Sequence, residues 1–115
     1  MSFENDLHDW YIDGIMLTPS EVTLFVHFSE ARRKIRLGGA TRCLLNDFLI
    51  SNIIYKAKII SAHEEPELYQ AEVARLDASY PAKWSGTAPK ILSINASVGM
   101  QGAIEFRDLE VIDLS

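Results

Sequence analysis

Along most of this chain, hydrophobic and polar residues alternate at the period of two expected of strands with one buried face. The clearest stretch is 22–28, VTLFVHF, where Val22, Leu24, Val26 and Phe28 share one face and Thr23, Phe25 and His27 the other. In KIRLGG, Ile35 and Leu37 alternate with Lys34 and Arg36. The short polar segment SEARR lies between the two runs, so together they predict an antiparallel hairpin. Upstream, 7–17 (LHDWYIDGIML) predicts a first strand with Gly14 at a bulge, and TPSE at 18–21 predicts a turn around Pro19. Gly38 and Gly39 break the pattern, ATRCLL predicts a further short strand, and NDFLISN (46–52) a turn or a short helical piece. IIYKAKII (53–60) predicts a strand with Ile53, Tyr55, Ala57 and Ile59 on one face and Lys56 and Lys58 on the other.

The period changes at 66. Tyr69, Val73, Leu76 and Tyr80 recur at helical spacing, with Glu67, Gln70, Ala74, Asp77 and Ala78 on the opposite side. Pro66 suits a first helical position, Glu65 before it is pushed to extended geometry and can serve as the cap, and Pro81 ends the run. The alternation then returns. KILSINAS (90–97) sets Ile91 on one side and Leu92, Ile94 and Ala96 on the other. In the last strand, 103–112, Ile104 and Phe106 are in phase while Leu109 and Val111 are out of phase by one. That slip requires a bulge near Arg107-Asp108 or a strand buried on both faces. The predicted fold is α+β: six or seven strands in a mainly antiparallel, curved or sandwich-like sheet, with one amphipathic helix at about 66–79.

With 115 residues, 48% hydrophobic and 23% charged, the chain reads as one globular domain, 1–115, that needs no metal or disulfide to hold its core. Its lone cysteine, Cys43, suits a reducing compartment. The first residues, MSFEND, hold no basic region and no apolar run, and no stretch has the roughly 18 apolar residues of a membrane span. The expectation is a cytoplasmic, soluble protein. A net charge of −5 argues against nucleic acid as a partner. Basic residues gather at Arg32, Arg33, Lys34, Arg36 and Arg42. That cluster reads either as the wet side of a hairpin, protecting an edge, or as an anion patch.

The segment SAHEEPELYQ invites a metal reading, since His63, Glu64, Glu65 and Glu67 lie within five residues. Pro66 interrupts it: His63 stands before the helix and cannot share a helical face with Glu67. Carboxylates in the first turn of a helix are favoured by its dipole without any metal. His8-Asp9 with Cys43 could form a nucleophilic site, but Cys43 among Leu44 and Leu45 reads as a packing residue. No catalytic residue, metal or cofactor is therefore expected. Trp84, in the loop AKWSGTAP, either packs over the sheet or makes contacts.

Three segments, LHDWYIDGIML with its following hairpin, NDFLISNIIYKAKI and GMQGAIEFRDLEV, carry a resemblance in the order of strands and turns along nearly the whole chain. In that order the chain resembles the small β-rich immunity proteins of bacterial polymorphic toxin systems, including contact-dependent growth inhibition. The resemblance implies a cytoplasmic, non-enzymatic protein that binds and neutralises one cognate toxin domain, commonly a nuclease with a basic active site. The expected contact residues are Glu64, Glu65, Glu67, Gln70, Asp77 and Trp84, on the helix start, its polar face and the following loop. The rival readings are a scaffold or regulatory module, and a small metal-dependent enzyme using His63, Glu64 and His8.

Overall fold

The structure is a computed structural model that describes residues 7–82 and 84–114. The N-terminal residues inspected for a leader and Lys83 lie outside the described residues. The elements run β1 (Tyr11–Leu17), β2 (Glu21–Phe28), β3 (Ala31–Gly38), β4 (Cys43–Asn46), β5 (Ile53–Ile60), α1 (Pro66–Ser79), β6 (Lys90–Val98), β7 (Gln101–Phe106) and β8 (Asp108–Asp113). The eight strands form one antiparallel sheet that is not closed, in the order β4-β7-β6-β5-β1-β2-β3-β8. The α+β architecture is thus as the sequence predicts, and the helix has the predicted bounds.

The eighth strand has a physical origin. The stretch expected as one strand, 103–112, is two strands joined by the single residue Arg107. β7 pairs with β4 and β6, while β8 pairs with β3 at the far end of the sheet order. One continuous segment therefore serves both halves, and the sheet must curl until they face each other. The phase slip between Phe106 and Leu109 is this crossing. The Arg107 N–H donates to the Gly38 carbonyl at 2.8 Å, tying the crossing to the end of β3. Gly39 sits beneath it at φ +63°, where a Cβ would lie 2.6 Å from the Arg107 side chain.

The curl makes two apolar layers. Inside, Trp10, Ile12, Val22, Leu24, Val26, Ile35 and Leu37 from one half meet Ile54, Ala57, Leu92, Ile94, Ile104 and Phe106 from the other. Outside, α1 lays Tyr69, Val73 and Leu76 on Ile60, Ile91, Ala103 and Leu44. β6 and β7 are covered on both sides, so they read as apolar runs. The Tyr69 hydroxyl donates to the Pro89 carbonyl at 2.7 Å, which satisfies the polar tip of a buried ring.

Three local expectations change. In β5, Ile54 is buried and Tyr55 is 59% exposed, the reverse of the expected phase. Register shifts against β6 on both sides of Ile54 insert the extra residue that flips the alternation. Residues 47–52 form neither a simple turn nor a helical piece. Glu65 occupies the N-cap position of α1 but makes no capping bond with its side chain; its carboxylate takes the Lys58 ammonium instead, at 2.5 Å.

The 47–52 loop is held by Asn52, which is 1% exposed. Its Oδ1 accepts from the N–H groups of Leu49 (2.9 Å) and Met100 (3.0 Å), and its Nδ2 donates to the Leu49 carbonyl at 2.7 Å. One carboxamide thereby staples the β4–β5 loop to the β6–β7 turn. Gly99, at φ +86°, is required there, because a Cβ would stand 2.3 Å from Asn52 Oδ1. Replacing Asn52 with alanine leaves two backbone donors without an acceptor. The expected loss is about 1–3 kcal/mol of folding free energy, read as a lower urea midpoint at unchanged m-value. An unshifted midpoint removes Asn52 from this role.

Candidate functional site

The six expected contact residues fall into two groups at opposite ends of α1. The first group surrounds the helix start. The Ser61 hydroxyl accepts from the Glu64 N–H and donates to the Glu64 carboxylate, both at 3.1 Å, which folds the 61–64 turn on itself. Glu64, Glu67 and Gln70 are exposed, and among the described residues neither Glu64 nor Glu67 enters an ion pair. Glu65 is half-buried against Lys58. Leu68, 46% exposed, joins Glu65, Pro66 and Glu67 around a shallow depression. His63 is exposed, and among the described residues no three histidine, cysteine or carboxylate groups converge to hold a metal ion.

The second group, Asp77 and Trp84, belongs to an internal network at the helix end. Its centre is Arg42, whose guanidinium is fully buried against the equally buried carboxylate of Glu105. The pairing is two-pronged, Nε to Oε1 at 2.9 Å and Nη2 to Oε2 at 2.8 Å. Arg42 Nη1 also donates to Asp77 (2.6 Å) and to the Tyr80 carbonyl (3.1 Å). Glu105 accepts further from the Thr41 hydroxyl at 2.9 Å and the Trp84 indole N–H at 3.1 Å. Each oxygen of the buried carboxylate thus has two donors, so its charge is compensated inside the fold. Trp84 follows its packing reading and is half-buried; Asp77 keeps a carboxylate 56% exposed while holding Arg42.

The network sets the charge states. Burial raises the pKa of Glu105, but the hydrogen bonds from Arg42, Thr41 and Trp84 outweigh it and hold the carboxyl below its ordinary range. Arg42 is held still more firmly as a cation, first by its hydrogen bond to Glu105. Cys43 sits next to this cluster with its thiol pushed up to about 11 by burial, so it is a thiol at neutral pH. Tyr80 closes the edge of β4 at the same residue: its hydroxyl accepts from the Cys43 N–H and donates to the Cys43 carbonyl at 3.1 Å. His8 lies elsewhere, edge-on to the Tyr55 ring at 5.6 Å and 3.3 Å from Asp9. The structure does not assemble Cys43, His8 and Asp9 into one site.

The basic cluster of 32–42 is also dispersed. Arg33 lies over the Trp10 ring at 4.7 Å. Arg36 faces three carboxylates: Glu21, Asp108 at 3.3 Å and Glu110 at 3.2 Å. Arg42 is buried, and Arg32 stands 4.0 Å from Asp13. Asp13, the extra residue at the β1 bulge, also holds His27 Nδ1 at 2.6 Å, and Tyr11 stacks on that imidazole at 5.0 Å. The wet-hairpin reading describes Arg32 and Arg36, which the curled sheet has supplied with carboxylates.

Arg42 and Glu105 were absent from the expected site. Their signal was an acid between Ile104 and Phe106 in a strand allowed to be buried on both faces. Removing the guanidinium alone, as in Arg42→Met, strands the buried carboxylate and is expected to cost about 3–5 kcal/mol. The double variant with Glu105→Leu recovers part of that loss, which calorimetry reads directly. Because Glu105 has a folded pKa below its unfolded value, its ionised form adds stability above about pH 4.3. That contribution disappears as the pH falls through the lower folded value, so the low-pH slope of stability is shallower in Glu105→Gln than in the wild type.

Comparison with known proteins gives no match to a protein-family model, a curated protein or a solved structure.

Proposed function

We propose that this chain is a non-enzymatic, cytoplasmic immunity protein that neutralises a protein toxin by binding it through an acid-rich surface. The observation that carries the reading is the exposed acidic pair at the start of α1: in a chain of net charge −5, Glu64 and Glu67 face solvent without a countercharge among the described residues. Five of the eleven cations are engaged elsewhere: Arg42 is buried, Arg33 is laid on Trp10, Arg36 is surrounded by three carboxylates, and Lys58 and Arg75 are matched by Glu65 and Glu72. A surface of one sign accelerates encounter with a partner of the other sign, as a basic nuclease domain would be. The helix start suits the task because Ser61 and the Lys58–Glu65 pair hold it in place before any partner arrives.

The test starts from the reading frames that neighbour this chain's own gene and uses the toxin-like domain the reading expects among them. Co-expression with the wild-type chain is expected to restore growth, and the purified pair to associate at a rate that falls with added salt. Glu64→Lys with Glu67→Lys leaves Glu65 and its Lys58 pair intact, so the fold should keep its circular dichroism and melting temperature. The same double variant should lower the association rate about tenfold or more at low salt. An unchanged rate excludes the helix start as the contact surface, and failure of the wild-type chain to bind or protect excludes the immunity reading.

A further inference from the structure

Near the β2–β3 turn, three strands bring together a side-chain cluster that the helix-start surface does not use. Its centre is His27 in β2, whose cross-strand partners are Tyr11 of β1 on one side and Arg32 of β3 on the other. Asp13, at the bulge between Ile12 and Gly14, sends its carboxylate to the imidazole, with Oδ1 2.7 Å and Oδ2 2.6 Å from Nδ1. The Tyr11 ring stacks on the imidazole at 5.0 Å, the two planes 14° apart. The Arg32 guanidinium stands 4.0 Å from the same carboxylate. One ring thus holds the face of the imidazole and one carboxylate holds its Nδ1 edge.

Stability does not call for this arrangement. The His27 and Asp13 side chains are 28% and 38% exposed, and ion pairs so open to water contribute little. A bulge interrupts the ladder, and bulges recur where a sheet has to re-aim a side chain. Here the re-aimed group fixes a proton. A carboxylate only accepts, so Nδ1 carries the hydrogen and, in the neutral ring, Nε2 keeps its lone pair. Among the described residues Nε2 makes no hydrogen bond. When such a nitrogen forms a bond the ring becomes positive, and a carboxylate at Nδ1 stabilises that charge. Arg32, directly across the strand pair, adds the cation that suits phosphoryl oxygens. His63 and His8 are set differently: His63 is exposed and enters no ion pair among the described residues, and His8 lies edge-on to Tyr55, 3.3 Å from its sequence neighbour Asp9.

We infer that His27 is a phosphoryl-acceptor site, taking a phosphoryl group on Nε2 from a donor of the phosphoramidate class, with Asp13 as its positioning residue. In the step, the Nε2 lone pair forms the new N–P bond. The donor's own P–N bond breaks, and its electron pair leaves on a nitrogen that already carries its protons. The imidazole becomes a cation, keeps its hydrogen on Nδ1 and faces the Asp13 carboxylate, so no proton has to move. Arg32 offsets the charge of the incoming phosphoryl oxygens. This inference is independent of the toxin-neutralising reading.

The test incubates the full chain with potassium phosphoramidate and follows its three histidines by mass spectrometry of peptides kept at alkaline pH. His8 and His63 are references within the same molecule. The expected product carries one phosphoryl group, on His27, gained about tenfold or more faster than on His8 or His63. Nitrogen and phosphorus NMR should place it on Nε2. Asp13→Asn, at an unchanged circular dichroism spectrum, should slow His27 about tenfold or more while His63 reacts as before. The same variant should release the ring hydrogen from Nδ1, which nitrogen NMR reads and a merely structural role would not move. Arg32→Gln should slow His27 and leave that hydrogen on Nδ1. Wild-type His27 reacting no faster than His63, attachment at Nδ1, or an unchanged rate in Asp13→Asn each overturns the proposal. Should Asp13→Asn fail to fold, the wild-type rates and the nitrogen attached decide alone.

Discussion

The fold turns on the need to bury one ion pair where four parts of the chain meet. Arg42 precedes β4, Glu105 lies in β7, Asp77 and Tyr80 come from the end of α1, and Trp84 from the loop that returns to β6. Two of these parts are held only weakly by their neighbours. β4 is a four-residue strand paired on one side only, and the loop after α1 has no regular structure of its own. The guanidinium supplies donors in a fixed planar fork, so it fixes the positions of all its acceptors together. A pair of apolar residues of similar volume, replacing both Arg42 and Glu105, could fill the same space and stabilise it equally well. What it could not do is distinguish one placement of the helix end from another a few ångströms away. The ion pair is therefore best understood as a device of specificity, setting where α1 stops and where the β4 edge begins.

Asn52 repeats that logic at the other end of the sheet with a neutral group. There too the problem is irregular backbone: a loop that crosses from β4 to β5 past the β6–β7 turn, with N–H groups that no ladder satisfies. The carboxamide answers both loops at once. The two keystones differ in charge because their surroundings differ. Around Asn52 only main-chain donors and acceptors need partners. At the helix end a cation can also draw on the last-turn carboxylate of Asp77 and on the free Tyr80 carbonyl.

Period and punctuation made most of the architecture legible. The hairpin β2–β3 follows from alternation on both sides of a short polar turn, and α1 from Pro66, Pro81 and the spacing of Tyr69, Val73 and Leu76. What alternation cannot carry is a residue that pairs across many positions of sequence. Arg42 and Glu105 are 63 residues apart, and nothing local distinguishes Arg42 from the exposed Arg32 or the half-buried Arg36. The bulge beside Tyr55 was equally hidden, because Ile53 and Ile54 are equivalent in hydropathy and only the register against β6 decides which is buried. At the helix start the exposure of Glu67 and Gln70 was legible from their helical phase, and that of Glu64 from its place before Pro66. The internal bonds of Asp77 to Arg42 and of Trp84 to Glu105 were not legible, because those partners are far away in sequence.

The same curl brings the two halves face to face and fills the space between them with isoleucine, leucine and valine. The polar and charged variety of the described residues lies at the ends and edges, where short segments leave the sheet. The chain treats those places unequally: one edge charged, one edge apolar and partly plugged by Tyr80, one end acidic at the start of α1, the other capped by Phe48, Leu49 and Ile50. An isolated domain that needed only solubility would gain by charging all of them. Keeping Ile50 in water costs solubility, and Asn52 maintains that exposure by holding the loop in place, so the asymmetry is stabilised by the fold itself. The most strongly paired charges of the described residues, Arg42 and Glu105, thus hold one of those outer segments, the β4 edge, in place.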